Sequence, residues 1–234
     1  MHNSGWVQSP GAKALPSVIE IERLKTYVRW LMDEFGGDRR ILAWDLWNEP
    51  DNTNHGSYEQ VELNNKVALV DSLLPRIFDW VRRKRPSQPL TSGLWRDAWA
   101  TGAPLSATEK IQVEESDIIS FHSYGPPEEF ERRVLFLQRY KRPILCTEYM
   151  ARPRKSTFAV ILPIAKRYRV AAINWGLVNG RTQTNLPWDS WEQPYVETQP
   201  PVWFHDIFYE DGKPYDPAEV EFIRKIVKGT PGGD

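Results

Sequence analysis

Two glutamates each follow a short apolar segment of the sequence. Glu49 comes after residues 41–47, with Asn48 between them, and Glu148 comes directly after residues 143–147. Both segments have the composition of buried strands in a parallel sheet, and side chains at the carboxyl ends of such strands point into one site. Two neighbouring carboxyls repel when both are ionised, so one keeps its proton and the other stays charged. This pair could therefore supply a proton donor and a nucleophile at one bond.

Cleavage of a glycosidic bond is a reaction that needs such a pair. The protonated carboxyl helps the leaving sugar oxygen depart, and the ionised carboxylate attacks the anomeric carbon. Asn48 offers an amide that can hydrogen-bond a sugar hydroxyl, and Pro50 stops the strand directly after Glu49. The spacing of the two glutamates leaves a second interpretation open, in which each is a solvated or ion-paired residue at a strand end.

Segments of helical period lie between the apolar segments, a pattern typical of βα units around a parallel sheet. Leu24, Val28, Leu31 and Phe35 form the apolar stripe of a first helix over residues 18–35, which Gly36 ends. Further helices are predicted over residues 58–84, 128–140, 157–169 and 217–227, and strands over residues 41–47, 90–94, 117–122, 143–147 and 170–175. Pro75 lies inside the second helix and predicts a kink or a break there.

Five predicted strands are fewer than the eight of a closed (β/α)8 barrel, which uses about 250 residues. No strand is predicted before residue 18, and no linker or repeat interrupts the chain. The sequence therefore predicts one α/β domain over residues 1–234, a TIM barrel without its first three βα units. An open arc of strands exposes two edges. We accordingly expect a longer protein, a partner chain that completes the barrel, or self-association.

Four separated motifs resemble those of clan A glycoside hydrolases, especially family five, the cellulase-like group. They are WDLWNEP at residues 44–50, FHSY at 121–124, CTEY at 146–149 and the strand that ends at Trp175. The resemblance spans residues 41–175 and identifies the strands that carry Glu49 and Glu148 as strands four and seven of the barrel. The start of the chain departs from the family, because an arginine on strand two and a histidine on strand three have no clear counterpart. Residues 2–6 resemble only weakly the loop that leaves strand three, where His2 would line a subsite.

The resemblance implies a role for each matching position. Glu49 would be the acid/base and Glu148 the nucleophile of a double displacement, which requires carboxyls about 5–5.5 Å apart. Tyr124 would contact the nucleophile, His122 would share its strand-six element, and Trp175 would form the floor of the glycone subsite. The implied activity is that of a retaining O-glycoside hydrolase acting on β-linked polysaccharides or oligosaccharides, without metal or organic cofactor. A carbohydrate-binding or inactive barrel remnant, and a subunit that completes a barrel with another chain, remain as alternatives.

Eleven tryptophans are the unusual feature of the composition. Trp30 and Trp80 lie on predicted helices and are expected to pack against the barrel. Exposed aromatic rings bind the apolar faces of sugars, and four tryptophans follow strand ends on the substrate side: Trp95, Trp99, Trp188 and Trp191. Sugar stacking competes with loop packing at each of them. The substrate-binding candidates of the whole chain are Trp95 and Trp188 together with the residues of the family-like motifs: Asn48, His122, Tyr124 and Trp175. Residues 176–188, rich in amides and hydroxyls, form the candidate recognition loop.

Charge and residue counts exclude several classes of partner. Thirty basic and 31 acidic side chains give a net charge of −1, whereas nucleic acids and anionic membranes attract a strong basic excess. We therefore expect a carbohydrate partner and neither nucleic acid nor membrane. The basic residues 82–85 are interpreted as a helix terminus. The four histidines, His2, His55, His122 and His205, lack the spacing of a zinc site.

The single cysteine and the N-terminus bear on the cellular compartment. Cys146 follows the apolar residues Ile144 and Leu145, which predicts a buried strand thiol, and a single cysteine excludes an intramolecular disulfide. No apolar run approaches the roughly 18 residues of a membrane span. Residues 1–5 lack the basic and apolar regions of a signal peptide, although the family resemblance is compatible with a secreted or periplasmic protein.

Overall fold

The computed structural model describes residues 1–3, 8–53 and 58–228. Two compact units make up the chain. The N-terminal unit is Val7–Ser120, and the C-terminal unit combines Met1–Trp6 with Phe121–Asp234. His55 and most of the predicted loop after His2 lie outside the described residues.

Helix α1 of the N-terminal unit spans Val18–Phe35, as the sequence predicts. Ser17 caps its first turn by accepting a hydrogen bond from the Glu20 amide. The predicted apolar stripe faces the interior, where Val28 and Leu31 pack against the buried cluster that contains Val70 and Phe78. The stripe and the cap together explain why the boundaries of α1 are predictable from local sequence.

Helix α2 spans Lys66–Arg82 and begins eight residues later than predicted. Of the kink or break expected at Pro75, the break is wrong, because the helix continues through the proline. The buried side chains Val70, Leu74 and Phe78 lie on both sides of the proline, and their packing offsets the hydrogen bond that proline cannot donate. Helix α3, Ala107–Glu115, is absent from the prediction because its apolar periodicity is weak. It begins at a capping box formed by Ser106 and Glu109.

Strands β1, Trp44–Asp45, and β2, Leu90–Thr91, pair in parallel. Both are shorter than predicted. Leu42, inside the predicted strand, is 75% exposed and so cannot belong to a buried sheet strand. The pairing continues by single hydrogen bonds, because the Leu46 amide donates to the Thr91 carbonyl over 2.9 Å. The paired segment thus extends to Leu46, three residues before Glu49.

The C-terminal unit repeats the βα pattern that the sequence predicts. The chain enters it within strand β3, Ile119–Ser123, which shares a three-stranded sheet with β4, Ile144–Tyr149, and β5, Ala171–Asn174. Strands β4 and β5 are parallel. The helices of this unit are α4 (Pro127–Leu137), α5 (Phe158–Tyr168) and α6 (Pro217–Lys228). Helix α5 packs against α4 and α6.

The predictions for the two tryptophans on helices have different outcomes. Trp80 is buried, as expected, but Trp30 is 55% exposed, so the expectation that it packs against a barrel is wrong. Trp30 lies on the face of α1 opposite the core stripe, where its indole contacts the rings of Tyr27 and Phe35. Within the described ranges, no helix is both long and apolar enough to cross a membrane.

Candidate active site

Glu148 lies near the end of β4, at an irregularity of the sheet. Cys146 pairs with Ala172, whereas Tyr149 pairs with Asn174, so β4 holds one more residue than β5 over this stretch. A bulge of this kind re-aims the side chains within it. Glu148 is buried, and Met150, two residues later, adopts a left-handed backbone with φ of 72°. The strand therefore ends sharply after presenting the carboxylate.

Two side chains from the end of β3 reach the Glu148 carboxylate. The Tyr124 hydroxyl donates to Glu148 Oε2 over 2.7 Å, and His122 Nδ1 lies 3.4 Å from the same oxygen. His122 is itself buried, and the Arg133 guanidinium of α4 donates to its backbone carbonyl. A hydroxyl that donates to a carboxylate stabilises its ionised form, the form that a nucleophile needs.

Two aromatic rings contact the Tyr124 ring. The Trp188 ring meets it edge-on with centroids 5.1 Å apart, and the His205 ring lies 5.3 Å away. Trp188 also contacts Phe204, and the Arg154 guanidinium lies 5.5 Å from its ring centroid. The structure thus brings Trp188, from the predicted recognition loop, into the same cluster as Glu148.

Trp175 directly follows β5 and is half-buried. The next residue, Gly176, has φ of 94°, and a Cβ there would lie 2.6 Å from Asp206 Oδ1. Thr184 donates to that same oxygen over 2.6 Å. Only glycine permits both the backbone conformation and this close approach. The contact fixes the direction in which the chain leaves Trp175.

Glu49 lies in the N-terminal unit, four residues after β1 ends. Its backbone is left-handed with φ of 41°, a conformation that costs a residue with a side chain about 1–3 kcal/mol. The Asn52 amide donates to Glu49 Oε2 over 2.6 Å. Pro50 is buried and Asn48 is exposed. Strain of this kind is concentrated at functional sites, which makes this turn a candidate for one.

Trp95 is hydrogen-bonded to the turn that carries Glu49. Its indole Nε1 donates to the buried carboxylate of Asp51 over 2.8 Å, and the Arg96 guanidinium donates to the Asp51 carbonyl. Trp95 is half-buried. Trp99, in contrast, is completely buried, which corrects the sugar-stacking interpretation for that residue. Trp191 donates to the His2 carbonyl and is a loop-packing residue in this structure.

A pair of histidines in the C-terminal unit has no sequence signal that predicts it. His2 and His205 are buried with ring centroids 5.3 Å apart, and His205 Nδ1 lies 2.6 Å from the Met150 carbonyl oxygen. The His2 amide donates to Ser190 Oγ over 2.7 Å. No periodicity marks residues 201–208, so only tertiary contacts reveal that His205 lies beside Tyr124.

Burial lowers the pKa of both histidines, to about 3 for His2 and about 4 for His205, from an ordinary value of 6.5. Both are neutral in the folded protein, whereas the unfolded chain binds protons as the pH falls through 6.5. The free energy of unfolding should therefore drop by about 1 kcal/mol per histidine between pH 6 and pH 5. Urea unfolding at several pH values measures this slope. His205→Gln should make it shallower, and a stability that stays constant from pH 7 to pH 5 would contradict the assignment.

Cys146 is buried, as the sequence predicts, and its desolvation raises the pKa of the thiol. A thiol that stays protonated is a poor nucleophile. The Cys146 sulfur instead contacts the Glu148 carbonyl oxygen at 3.3 Å. Cys146 is thus a packing residue in contact with the Glu148 backbone.

The structure of this chain resembles those of solved proteins, whereas its sequence matches no family model and no curated protein. An endo-β-1,4-mannanase from Thermotoga petrophila matches in structure with a TM-score of 0.62 and 15% identity, over 95% of this chain and 53% of the mannanase. A GH2 β-galacturonidase from Eisenbergiella tayi matches with a TM-score of 0.62 and 13% identity, over 92% of this chain and 38% of that one.

A β-D-glucuronidase from Dictyoglomus thermophilum matches with a TM-score of 0.61 and 13% identity, over 89% of this chain and 36% of the glucuronidase. The chain thus spans about half the length of these three proteins, or less. All three are glycoside hydrolases. The likeness shows the fold class of this chain, which is mixed α/β with parallel strands, consistent with part of a TIM barrel of the glycoside hydrolase type.

Proposed function

We propose that this protein is a retaining O-glycoside hydrolase that cleaves β-glycosidic bonds, with Glu148 as nucleophile and Glu49 as acid/base. The observation that supports this most is the buried Glu148 carboxylate, held by the Tyr124 hydroxyl at 2.7 Å beside the half-buried Trp188 ring. A carboxylate that accepts a fixed hydrogen bond next to an aromatic surface suits attack on a bound sugar.

The first chemical step forms a bond between a Glu148 carboxylate oxygen and the anomeric carbon. The bond from that carbon to the leaving oxygen breaks, and Glu49 gives its proton to the leaving oxygen. The Tyr124 hydroxyl orients Glu148 during the attack. This step leaves a covalent glycosyl-enzyme and an ionised Glu49.

In the second step Glu49 takes a proton from water as that water attacks the anomeric carbon. The bond to Glu148 breaks, and the sugar leaves with its original configuration. The two carboxyls must lie about 5–5.5 Å apart for this route, since a gap of about 6.5–9.5 Å favours inversion. The configuration of the first-formed product, read by NMR, therefore tests the retaining mechanism.

Sugar binding in this proposal uses the predicted aromatic and amide side chains. Trp188 and Trp175 would contact the sugar next to Glu148. Asn48 and Trp95 would contact the sugar next to the turn that carries Glu49. The three neighbours are named for action on β-mannan, β-glucuronides and β-galacturonides, which supports β-linked glycosides as the substrate class. Within that class, the WDLWNEP motif at residues 44–50 favours the cellulase-like family five.

Covalent trapping tests the nucleophile directly. The protein is incubated with a panel of 2-deoxy-2-fluoro-β-glycosides of different sugars, then analysed by intact mass and peptide mapping. We expect one added glycosyl group on Glu148, none in Glu148→Gln, and slower labelling in Tyr124→Phe. A label on another residue would refute the assignment. A folded, monodisperse protein without any label would instead favour a carbohydrate-binding barrel remnant.

A further inference from the structure

A buried histidine lies in the aromatic cluster beside Glu148. The His205 side chain is completely buried, and its ring centroid lies 5.3 Å from that of Tyr124 and 6.0 Å from that of Trp188. Such burial keeps His205 away from a bound sugar. Its effect on a reaction at Glu148 must therefore pass through the side chains that it contacts.

One nitrogen of the His205 ring binds the end of the strand that carries Glu148. Nδ1 lies 2.6 Å from the carbonyl oxygen of Met150, two residues after Glu148. Burial lowers the pKa of His205 to about 4, so the ring is neutral at pH 7 and carries a single N–H group. A carbonyl oxygen can only accept, so that group is Nδ1–H. This hydrogen bond fixes the His205 ring relative to the end of β4.

The other nitrogen of the same ring is an acceptor without a donor. His205 Nε2 is buried and has no hydrogen-bond partner among residues 1–3, 8–53 and 58–228. A buried polar atom without a partner lowers the stability of the fold, and an apolar ring at this position would avoid that loss. Such a costly group in a native structure points to a role other than packing.

The backbone on both sides of His205 is held by one arginine. The Arg152 amide donates to the Phe204 carbonyl over 3.2 Å. The Arg152 guanidinium donates to the carbonyls of Trp203 and Asp206, over 3.1 and 3.0 Å. A side chain on a backbone fixed in this way has little freedom to shift, so it can hold a neighbouring ring in one orientation.

These contacts form a closed path that begins and ends at Glu148. From Glu148 the backbone leads to Met150, and the Met150 carbonyl accepts the hydrogen bond of His205. The His205 ring contacts Tyr124, whose hydroxyl returns to Glu148 Oε2 over 2.7 Å. The position of the hydroxyl on the carboxylate therefore depends on the His205 ring. A small displacement of an oriented reacting group can remove a large part of the rate.

We propose that His205 is a positioning residue for the nucleophile, which holds the Tyr124 ring so that its hydroxyl stays on Glu148. The proposal rests on the proposed function for the role of Glu148 as nucleophile. His122 also faces this carboxylate, with Nδ1 3.4 Å from Oε2, and it stays in place in every variant of the test. His205 itself touches neither the sugar nor the reacting atoms.

Two substitutions of His205 test the two halves of the path. His205→Phe keeps a ring beside Tyr124 but loses the donor to Met150, whereas His205→Asn keeps a donor but loses the ring. Each should lower the kcat for an aryl β-glycoside by about 10- to 100-fold. In a Tyr124→Phe background, which has no hydroxyl to position, the same substitutions should cost less than about threefold. Equal losses in both backgrounds would show a merely structural role and overturn the proposal.

NMR of the Tyr124 phenol tests the path without any turnover. In protein labelled with [ζ-¹³C]tyrosine, the Tyr124 signal is identified by its loss in Tyr124→Phe. This signal should follow the ionisation of Glu148 as the pH changes, because the hydroxyl donates to that carboxylate, and Glu148→Gln should abolish that step. His205→Asn should make the step smaller. A step that is unchanged in His205→Asn would overturn the proposal whatever the activity.

Trp203→Phe is the matched control for the loss of a buried ring. Trp203 is also buried and lies two residues before His205, but its ring contacts those of Tyr209 and Tyr215. This variant should lower the melting temperature while it leaves kcat and the Tyr124 signal unchanged. Circular dichroism shows whether each variant keeps its fold.

Histidine ¹⁵N NMR of the unsubstituted protein adds a measurement that needs no folded variant. The His205 ring should be the neutral Nδ1–H tautomer between pH 5 and pH 8. An Nε2–H tautomer or a charged ring in this range would overturn the proposal, because the bond to Met150 would then differ.

The positioning role and the proposed function can fail separately. A protein that neither hydrolyses a glycoside nor is labelled on Glu148 would refute the proposed function, whereas the Tyr124 signal would still decide whether His205 holds Tyr124. A labelled Glu148 together with fully active His205 variants would refute the positioning role alone.

Discussion

Replacement of Glu148 by glutamine is expected to lower the kcat for an aryl β-glycoside by about 10⁴-fold or more, because an amide cannot form the glycosyl-enzyme. The Tyr124 hydroxyl can still donate to the amide oxygen, so the melting temperature should change little. Activity and thermal unfolding are measured on the same preparation. Glu131→Gln is the control, since Glu131 is a half-exposed carboxylate on α4 that pairs with Arg167. Activity within tenfold of the parent protein would contradict the assigned role.

The two glutamates can be distinguished by the leaving group and by azide. Glu49→Ala should slow hydrolysis of substrates with poor leaving groups far more than that of dinitrophenyl glycosides, which depart without a proton donor. Azide can replace the missing carboxylate in either variant. Glu148→Ala should then yield a glycosyl azide of inverted configuration and Glu49→Ala one of retained configuration. The opposite pattern would exchange the two roles.

Replacement of Arg152 by methionine is expected to lower the free energy of unfolding by about 3–5 kcal/mol, because it leaves a partly buried carboxylate without its cation. Arg152 Nη2 donates to Glu219 Oε2 of α6 over 2.6 Å, and the two side chains are only 8% and 17% exposed. The same guanidinium donates to the carbonyls of Trp203 and Asp206 and lies over the Tyr215 ring. It thereby connects the turn after β4, the loop that carries His205, and α6.

Urea unfolding followed by tryptophan fluorescence measures this loss. Arg167→Met is the matched control, because the Arg167–Glu131 pair is 64% and 33% exposed and should contribute less than about 1 kcal/mol. The double variant Arg152→Met/Glu219→Met should be less destabilised than the sum of the single variants, since no unpaired charge remains. A loss below about 1 kcal/mol for Arg152→Met would show that the network is not structural.

The sequence by itself determines the order of the elements and the positions of the two glutamates along them. Helix α1 follows the predicted boundaries, and the five predicted strands are present, although the ends of several differ. Glu49 and Glu148 each come at or near the end of a strand, and Tyr124 comes directly after β3. These features are local, because a stripe, a cap or a strand-ending residue acts through neighbours a few positions away.

The tertiary structure alone decides how the side chains are held. The hydrogen bond from Tyr124 to Glu148 joins residues 24 positions apart, and the His2 amide reaches Ser190 across 188 positions. The same holds for burial, since Trp99 is buried and Trp30 is exposed although both are tryptophans near apolar neighbours. The bulge that presents Glu148 also depends on the strand paired with β4. Such contacts form between segments that no local pattern relates, so only the folded chain specifies them.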